Sequence, residues 1–268
     1  MHPTLLLDTF SPFLVFLIFF LLMLLFFEGG FKIGKWRKRL RANEDKSAEP
    51  MIGGVLGLLA FVLAFSFNIA ANRYELRKQN VVSDANAVST AFLRADLVPE
   101  PQRSVIKSRL IAYAGLRADT ENLRDLESLR SRLEALQISM WKTLASISPK
   151  ERTAVFNALA SALNTVYDIH EKRLNDALYN RMGNKVWFII FTITFLSTFM
   201  LGVRAGFSEK KSYVTLIPFT LALTLMVYLV TDLDSPQSGL FRVSQQPMLD
   251  TLAAIRQYDS APAALQAP

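Results

Sequence analysis

Asp232 and Asp234 stand two positions apart, just past a long apolar run. Carboxylates so placed can act as an acid and base pair, hold a cation, or pair with arginine. Catalysis would need companions, and the sequence offers few. It has no cysteine and two histidines. That excludes disulfides, thiolate metal sites and a cysteine nucleophile, and it leaves too few imidazoles for a multi-histidine site. Asp168, His170 and Glu171 form a ligand set on paper, but adjacent helical residues point in different directions, so a solvated surface is expected for all three. No nucleophile, metal triad or phosphate loop accompanies the carboxylates. No catalytic residue, metal site or cofactor is therefore expected, and the chain does not read as an enzyme. The two aspartates end a helix, where the helix dipole disfavours negative charge. They need partners, and Arg73, Arg77 and Arg242 are the candidates. A latch tying the tail to an upstream helix is favoured over a cation site.

A second pattern lies upstream. Gly57, Phe61, Phe65, Asn68 and Asn72 are spaced four, four, three and four apart, which puts them in one narrow stripe of a helix. Beside it run the small residues Gly53, Ala60 and Ala64, and small stripes let membrane helices approach closely. Copies of this helix packed through the small face would turn the phenylalanines toward a central axis. The result is a hydrophobic constriction of the kind that gates by dewetting. Arg73 and Arg77 would line its mouth. The plainer alternative is that phenylalanine and glycine here pack against neighbours or lipid.

These residues need a frame, and the composition supplies it. Of 268 residues, 51% are hydrophobic and 20% charged, and the apolar ones gather in four blocks near the length of a bilayer-crossing helix. The blocks cover about residues 10–27, 51–71, 186–203 and 213–231. The first has no basic residue before it and no cleavage site after it, so it reads as a retained helix rather than a signal peptide. After Gly57 no glycine or proline occurs until Pro99. The second helix is therefore expected to leave the bilayer unbroken and run to about Asp96. Beyond Pro99 and Pro101 three further helices are expected. The first covers Pro101 to about Leu116. The second runs from about Asp119 to Ile147 and carries a heptad-like seam from Leu126 to Ile147. The third is capped by Ser148 with Pro149 and Glu151 and ends near Gly183. Asp84, Asn86, Ser89 and Thr90, interleaved with Ala85, Ala87 and Ala91, point to close packing around the long helix. The tail holds a turn shaped by Pro236 and Gly239, then a short amphipathic helix, and its last ten residues are expected to be disordered.

The fold class is thus all-α: an integral membrane protein with four transmembrane helices in two hairpins and a helical domain inserted between the second and third. The expected boundaries are 1–71 for the first hairpin, 72–185 for the domain, 186–231 for the second hairpin and 232–268 for the tail. The net charge of +7 fits retention on one bilayer face and contact with anionic lipid better than nucleic-acid binding. Lys32, Lys35, Arg37, Lys38, Arg39, Arg41 and Lys46 crowd the first short loop, and Arg204, Lys210 and Lys211 the second. The positive-inside rule then puts both loops in the cytoplasm and the domain outside.

The segment FVLAFSFNIAANRYELR, Phe61 to Arg77, resembles the long second helix of bestrophin channels, in which a similar run forms the pore neck and an Arg-aromatic pair follows, here Arg73 and Tyr74. Most of the chain resembles a bacterial bestrophin-like family of unknown function. The specific segments are VVSDANAVSTAFLRADLVPEPQR, Val81 to Arg103, and DLDSPQSGLFRVSQQP, Asp232 to Pro247. The resemblance implies an oligomeric ion channel, a pentamer, with Phe61 and Phe65 in the neck and the helical domain in the cytoplasm, the opposite of the charge reading. Gly57 is smaller than the bestrophin residue at that place, and the acidic calcium clasp of animal bestrophins has no counterpart.

Together these readings predict a homo-oligomer in a lipid bilayer, the bacterial inner membrane, passing inorganic ions. Arg73, Arg77 and Lys78 tilt the expectation toward anions. The alternative is a non-conducting scaffold or sensor that binds a partner through the seam of the helical domain.

Overall fold

The computed structural model describes residues 12–40, 49–119, 126–148, 154–178, 180–208, 213–235 and 240–260. Pro149 and Glu151 of the expected cap, Pro236 and Gly239 of the turn, loop residues Arg41, Lys46, Lys210 and Lys211, and the tail from 261 onward lie outside these. Among the described residues all regular structure is helical: α1 (Pro12–Leu40), α2 (Glu49–Ala95), α3 (Gln102–Ala118), α4 (Leu126–Ala145), α5 (Ala154–Leu178), α6 (Asn184–Ser208), α7 (Tyr213–Asp234) and α8 (Gln246–Ser260). Four of them, α1, α2, α6 and α7, are long and apolar enough to cross a membrane.

Two elements outrun their apolar blocks. Helix α1 continues through the basic stretch to Leu40 rather than ending near Phe27. Its last turn carries Arg37, Lys38 and Arg39, which suit the negative end of a helix dipole. Helix α2 has 47 residues, which is roughly 70 Å at 1.5 Å per residue. It ends at Ala95, before the prolines that cannot continue it.

The chain divides into two compact units. One comprises Met1–Tyr74 and Asn180–Arg242, the other Glu75–Tyr179 and Val243–Pro268.

The first unit contains the four apolar helices. Its core joins Phe19 and Met23 of α1, Leu59 and Leu63 of α2, Trp187 and Ile190 of α6, and Val227 and Val230 of α7. Phe19 packs on Phe191 and Phe195 with ring centres 5.3 and 5.1 Å apart, and Phe26 stacks on Phe195 at 4.8 Å. Glycines set the closest approach. A Cβ at Gly30 would strike the carbonyl of Phe199, and one at Gly34 that of Val203. In return, a Cβ at Gly202 would strike the carbonyl of Phe27, and one at Gly206 that of Phe31. Partner numbers rise together, so α1 and α6 run parallel, backbone against backbone. Buried hydroxyls in this unit bond within their own helices. Ser66, Thr194, Ser197, Thr198, Thr220 and Thr224 each donate to the carbonyl four residues earlier at 2.7–2.9 Å, so these six hydroxyls are satisfied without water.

The second unit packs the latter half of α2 with α3, α4, α5 and α8. Val88 and Phe92 meet Ile106, Leu110 and Tyr113, then Leu133, Met140 and Leu144, Leu159, Leu163 and Val166, and finally Met248 and Ile255. Ala85, Ala87 and Ala91 are buried in this core, as close packing around the long helix requires. The seam on α4 lies here too: Leu129, Leu133, Met140, Leu144 and Ile147 are each 8% exposed or less. The expectation that this seam binds a separate partner is corrected, because the unit's own helices cover it. Lys107 holds α8 in place. Its amine lies 2.8 Å from Asp96 and 3.4 Å from Asp259, over the rings of Phe92 and Tyr258.

Candidate functional site

The membrane part of α2 has two unlike sides. Ile52, Leu59, Leu63, Ser66 and Ala70 are buried against the other apolar helices. The other side is exposed among the described residues. Gly57, Asn68 and Asn72 are exposed, and Phe61 and Phe65 are 68% and 61% exposed. The two phenyl rings stack nearly parallel with centres 6.5 Å apart. Below them the Asn72 side-chain amide donates to Asn68 Oδ1 at 3.1 Å. All five residues expected on one stripe share one open face. The small stripe Gly53, Ala60 and Ala64 is exposed as well, and Cβ atoms at Gly53, Gly54 or Gly57 would meet only open space.

The aspartates at the end of α7 are buried, Asp232 at 4% and Asp234 at 1% exposure. Asp234 accepts a hydrogen bond from Arg73 at 3.0 Å and from the Met182 backbone amide at 3.0 Å. Asp232 accepts from the amides of Leu240 and Phe241, both at 2.9 Å. Ser235 beside them accepts from Arg181 at 3.2 Å, and Tyr74 meets Phe241 edge-on. Of the three arginine candidates, Arg73 reaches a carboxylate, Arg77 is buried in the other unit, and Arg242 is exposed. Amide donors fixed by the returning chain, rather than a second arginine, satisfy Asp232.

The helical unit holds a polar cluster that the sequence reading did not assemble. Asp84 is fully buried. Arg173 donates to it at 2.5 Å, Arg117 lies 3.4 Å away, and the Tyr113 hydroxyl is at 3.5 Å. Arg117 also reaches His170 Nδ1 at 2.5 Å, and Arg173 reaches Gln245 at 2.9 Å. Burial pushes the Tyr113 phenol up to about 12. It pushes the His170 imidazole down to about 3, helped by Arg117, Arg173 and Arg130, so His170 is neutral at physiological pH. The expected surface position of His170 is corrected. Asp168 and Glu171 are exposed, but His170 is fully buried. The signal was present, since His170 follows Leu159, Leu163 and Val166 at helical spacing. Among the described residues no group of His, Asp and Glu is placed to hold a metal ion.

The family model described as the Bestrophin-like domain matches residues 15–248. No curated protein and no solved structure matches the chain.

Proposed function

This chain belongs to the bestrophin-like family, and on that premise we propose that it assembles around α2 as a homo-oligomer and conducts ions passively across the bacterial inner membrane. One observation carries the reading: a phenylalanine pair and an asparagine pair share a single exposed stripe of a membrane helix. A face that simply met lipid would have no use for Asn68 and Asn72, because polar side chains on membrane helices favour protein or water-filled surroundings. A face turned to an aqueous axis accounts for both pairs. Phe61 and Phe65 form the narrow hydrophobic neck, Gly57 leaves it wider on one side, and the asparagines line the wet approach.

The glycines support assembly through this helix. Three GxxxG spacings occur in the apolar helices, at Gly30 and Gly34, at Gly53 and Gly57, and at Gly202 and Gly206. The first and last meet each other, while Gly53 and Gly57 face open space and remain available to a second copy. Anions are the slightly preferred species, because Arg73 and the exposed Lys78 lie on α2 just beyond the asparagines. Five copies is the stoichiometry that the bestrophin resemblance implies.

The test is ion flux through purified protein in liposomes. Wild type conducts, and Phe61→Ala/Phe65→Ala raises the flux by widening and wetting the neck. Replacing the permeant anion then ranks selectivity. Silence from both proteins, each shown folded and oligomeric, overturns the reading.

A further inference from the structure

We propose that the cleft between α1, α6 and α7 is a binding site for one acyl chain of a membrane phospholipid, taken up from the surrounding bilayer.

The chemistry of the walls selects the occupant. The cleft has a volume of about 240 Å³, and Phe16, Phe19 and Leu22 of α1, Phe195 of α6, and Val227 and Tyr228 of α7 form most of it. An apolar cavity of about 150 Å³ already accepts a benzene-sized guest, so this one has room for a run of methylenes. Thr224 and Thr231 also reach it, but their hydroxyls turn to their own helix. Thr231 donates to the Val227 carbonyl at 2.9 Å and Thr224 to the Thr220 carbonyl at 2.8 Å. Water needs two to four polar partners to stay in a cavity, and a charged group buried here would go unpaired. Hydrocarbon suits these walls.

The cleft is propped open rather than slack. Gly30 and Gly34, toward the end of α1, clamp it backbone to backbone against α6. Toward its start, aromatic rings hold the helices apart. Phe16 meets Tyr228 edge-on with centres 5.9 Å apart, and Phe19 packs on Phe191 and Phe195. Closing the cleft would drive these rings into one another. A guest from outside is what restores the packing contacts that a void forfeits.

Its direction and openings match a lipid tail. Phe16 faces Tyr228 and Met23 faces Thr224, so α1 and α7 run antiparallel along it. The cleft follows residues 15–22 of α1 and 224–231 of α7, about 10 Å along the helix axes at 1.5 Å per residue. Membrane helices stand close to the bilayer normal, as the tails around them do. Ile18 and Leu22 on the rim are 44% and 36% exposed, which gives a tail a sideways entry. One end of the cleft lies three residues from the start of α1 at Pro12 and three from the end of α7 at Asp234. A phospholipid held there by its tail keeps its headgroup at the bilayer surface.

The test is photolabelling of the full chain in vesicles of phosphatidylcholine, a fraction of which carries a diazirine midway along one acyl chain. Adducts are mapped to residues by mass spectrometry. Leu221 and Leu225 of α7, 38% and 50% exposed, report lipid that merely surrounds the protein, whereas Thr224 and Val227, 1% and 4% exposed, lie on the cleft wall. Wild type should carry adducts on Thr224 or Val227 as well as on the two leucines. Thr231→Phe, which fills the cleft, should lose the adducts on Thr224 and Val227 and keep those on Leu221 and Leu225. Thr231→Ser, which leaves the cleft open, should keep all of them. Thermal unfolding shows that each variant is folded. Adducts confined to the exposed leucines in wild type overturn the proposal, whether a second copy of the chain covers the cleft or nothing does. Wall adducts that persist in folded Thr231→Phe overturn it too.

Discussion

Arg73 and Asp234 meet at 3.0 Å although 161 positions separate them in the chain. The carboxylate is 1% exposed and the guanidinium 22%. Asp234 also accepts the Met182 amide, so it gathers the ends of three segments at one point. Asp234→Ala removes the acceptor from both donors at once. It is expected to cost about 2–3 kcal/mol, between the cost of a lost charged hydrogen bond and that of a broken buried pair. Asp234→Asn, which keeps an acceptor for the amide, should cost less. Thermal unfolding of the purified protein in detergent ranks the three.

The glycine contact makes a sharper forecast. Gly202→Ala adds one methyl group where a carbonyl oxygen of α1 already stands, and overpacking of that kind costs roughly 1–3 kcal/mol. At Gly29 the same methyl meets nothing within 4 Å. Gly29→Ala should therefore leave stability unchanged or slightly raised by helix propensity. Unfolding in a graded detergent mixture distinguishes the two sites.

His170 makes the helical unit sensitive to acid. Its nitrogen Nδ1 faces Arg117, which can only donate, so the ring proton sits on Nε2. Among the described residues that atom has no hydrogen-bond partner. The folded-state pKa, about 3, lies below the ordinary value of about 6.5, so protons prefer the unfolded chain. The stability this group supports is intact above pH 6.5 and drains away as pH falls toward 3. By pH 5 the loss is about 2 kcal/mol. His170→Gln should flatten that part of the pH profile, and the readout is the unfolding midpoint compared between pH 7.5 and pH 5. Equal slopes for the two proteins would show that other groups govern the acid response.

Lys107 gives a local forecast. Its amine is shared by Asp96, Asp259 and two aromatic rings, and Asp259 and Tyr258 belong to α8. Lys107→Ala should cost on the order of 2 kcal/mol and loosen α8. Hydrogen exchange should quicken across residues 246–260 while α3 stays protected.

The length of α2 could be read from sequence because it depends on local facts: a continuous apolar run, and no helix breaker in the 41 residues between Gly57 and Pro99. The stripe from Gly57 to Asn72 could be read for the same reason, since helical spacing alone puts those residues on one face. What the sequence could not choose was partners. Three apolar helices carry glycines four apart, and spacing cannot tell which two will meet. The small stripe beside Phe61 therefore drew attention, while the contact formed at Gly30, Gly34, Gly202 and Gly206. His170 misled for a related reason. A histidine flanked by charges looks solvated until the phase of Leu159, Leu163 and Val166 is followed one turn further, and its burial depends on Arg117 arriving from another helix. The seam on α4 was seen, but only the packed unit reveals that its cover comes from the same chain.

The parallel pairing of α1 with α6 also sets a timetable for biosynthesis. The glycine face of α1 enters the bilayer early, but its complement on α6 emerges roughly 170 residues later, which is on the order of ten to thirty seconds at ordinary rates of translation. Through that interval the first hairpin must persist in lipid with its closest-packing surface uncovered. A nascent chain arrested before Gly202 would present that bare groove to whatever helix drifts by, and the second hairpin, once made, is the cover that retires it from the membrane's pool of sticky surfaces.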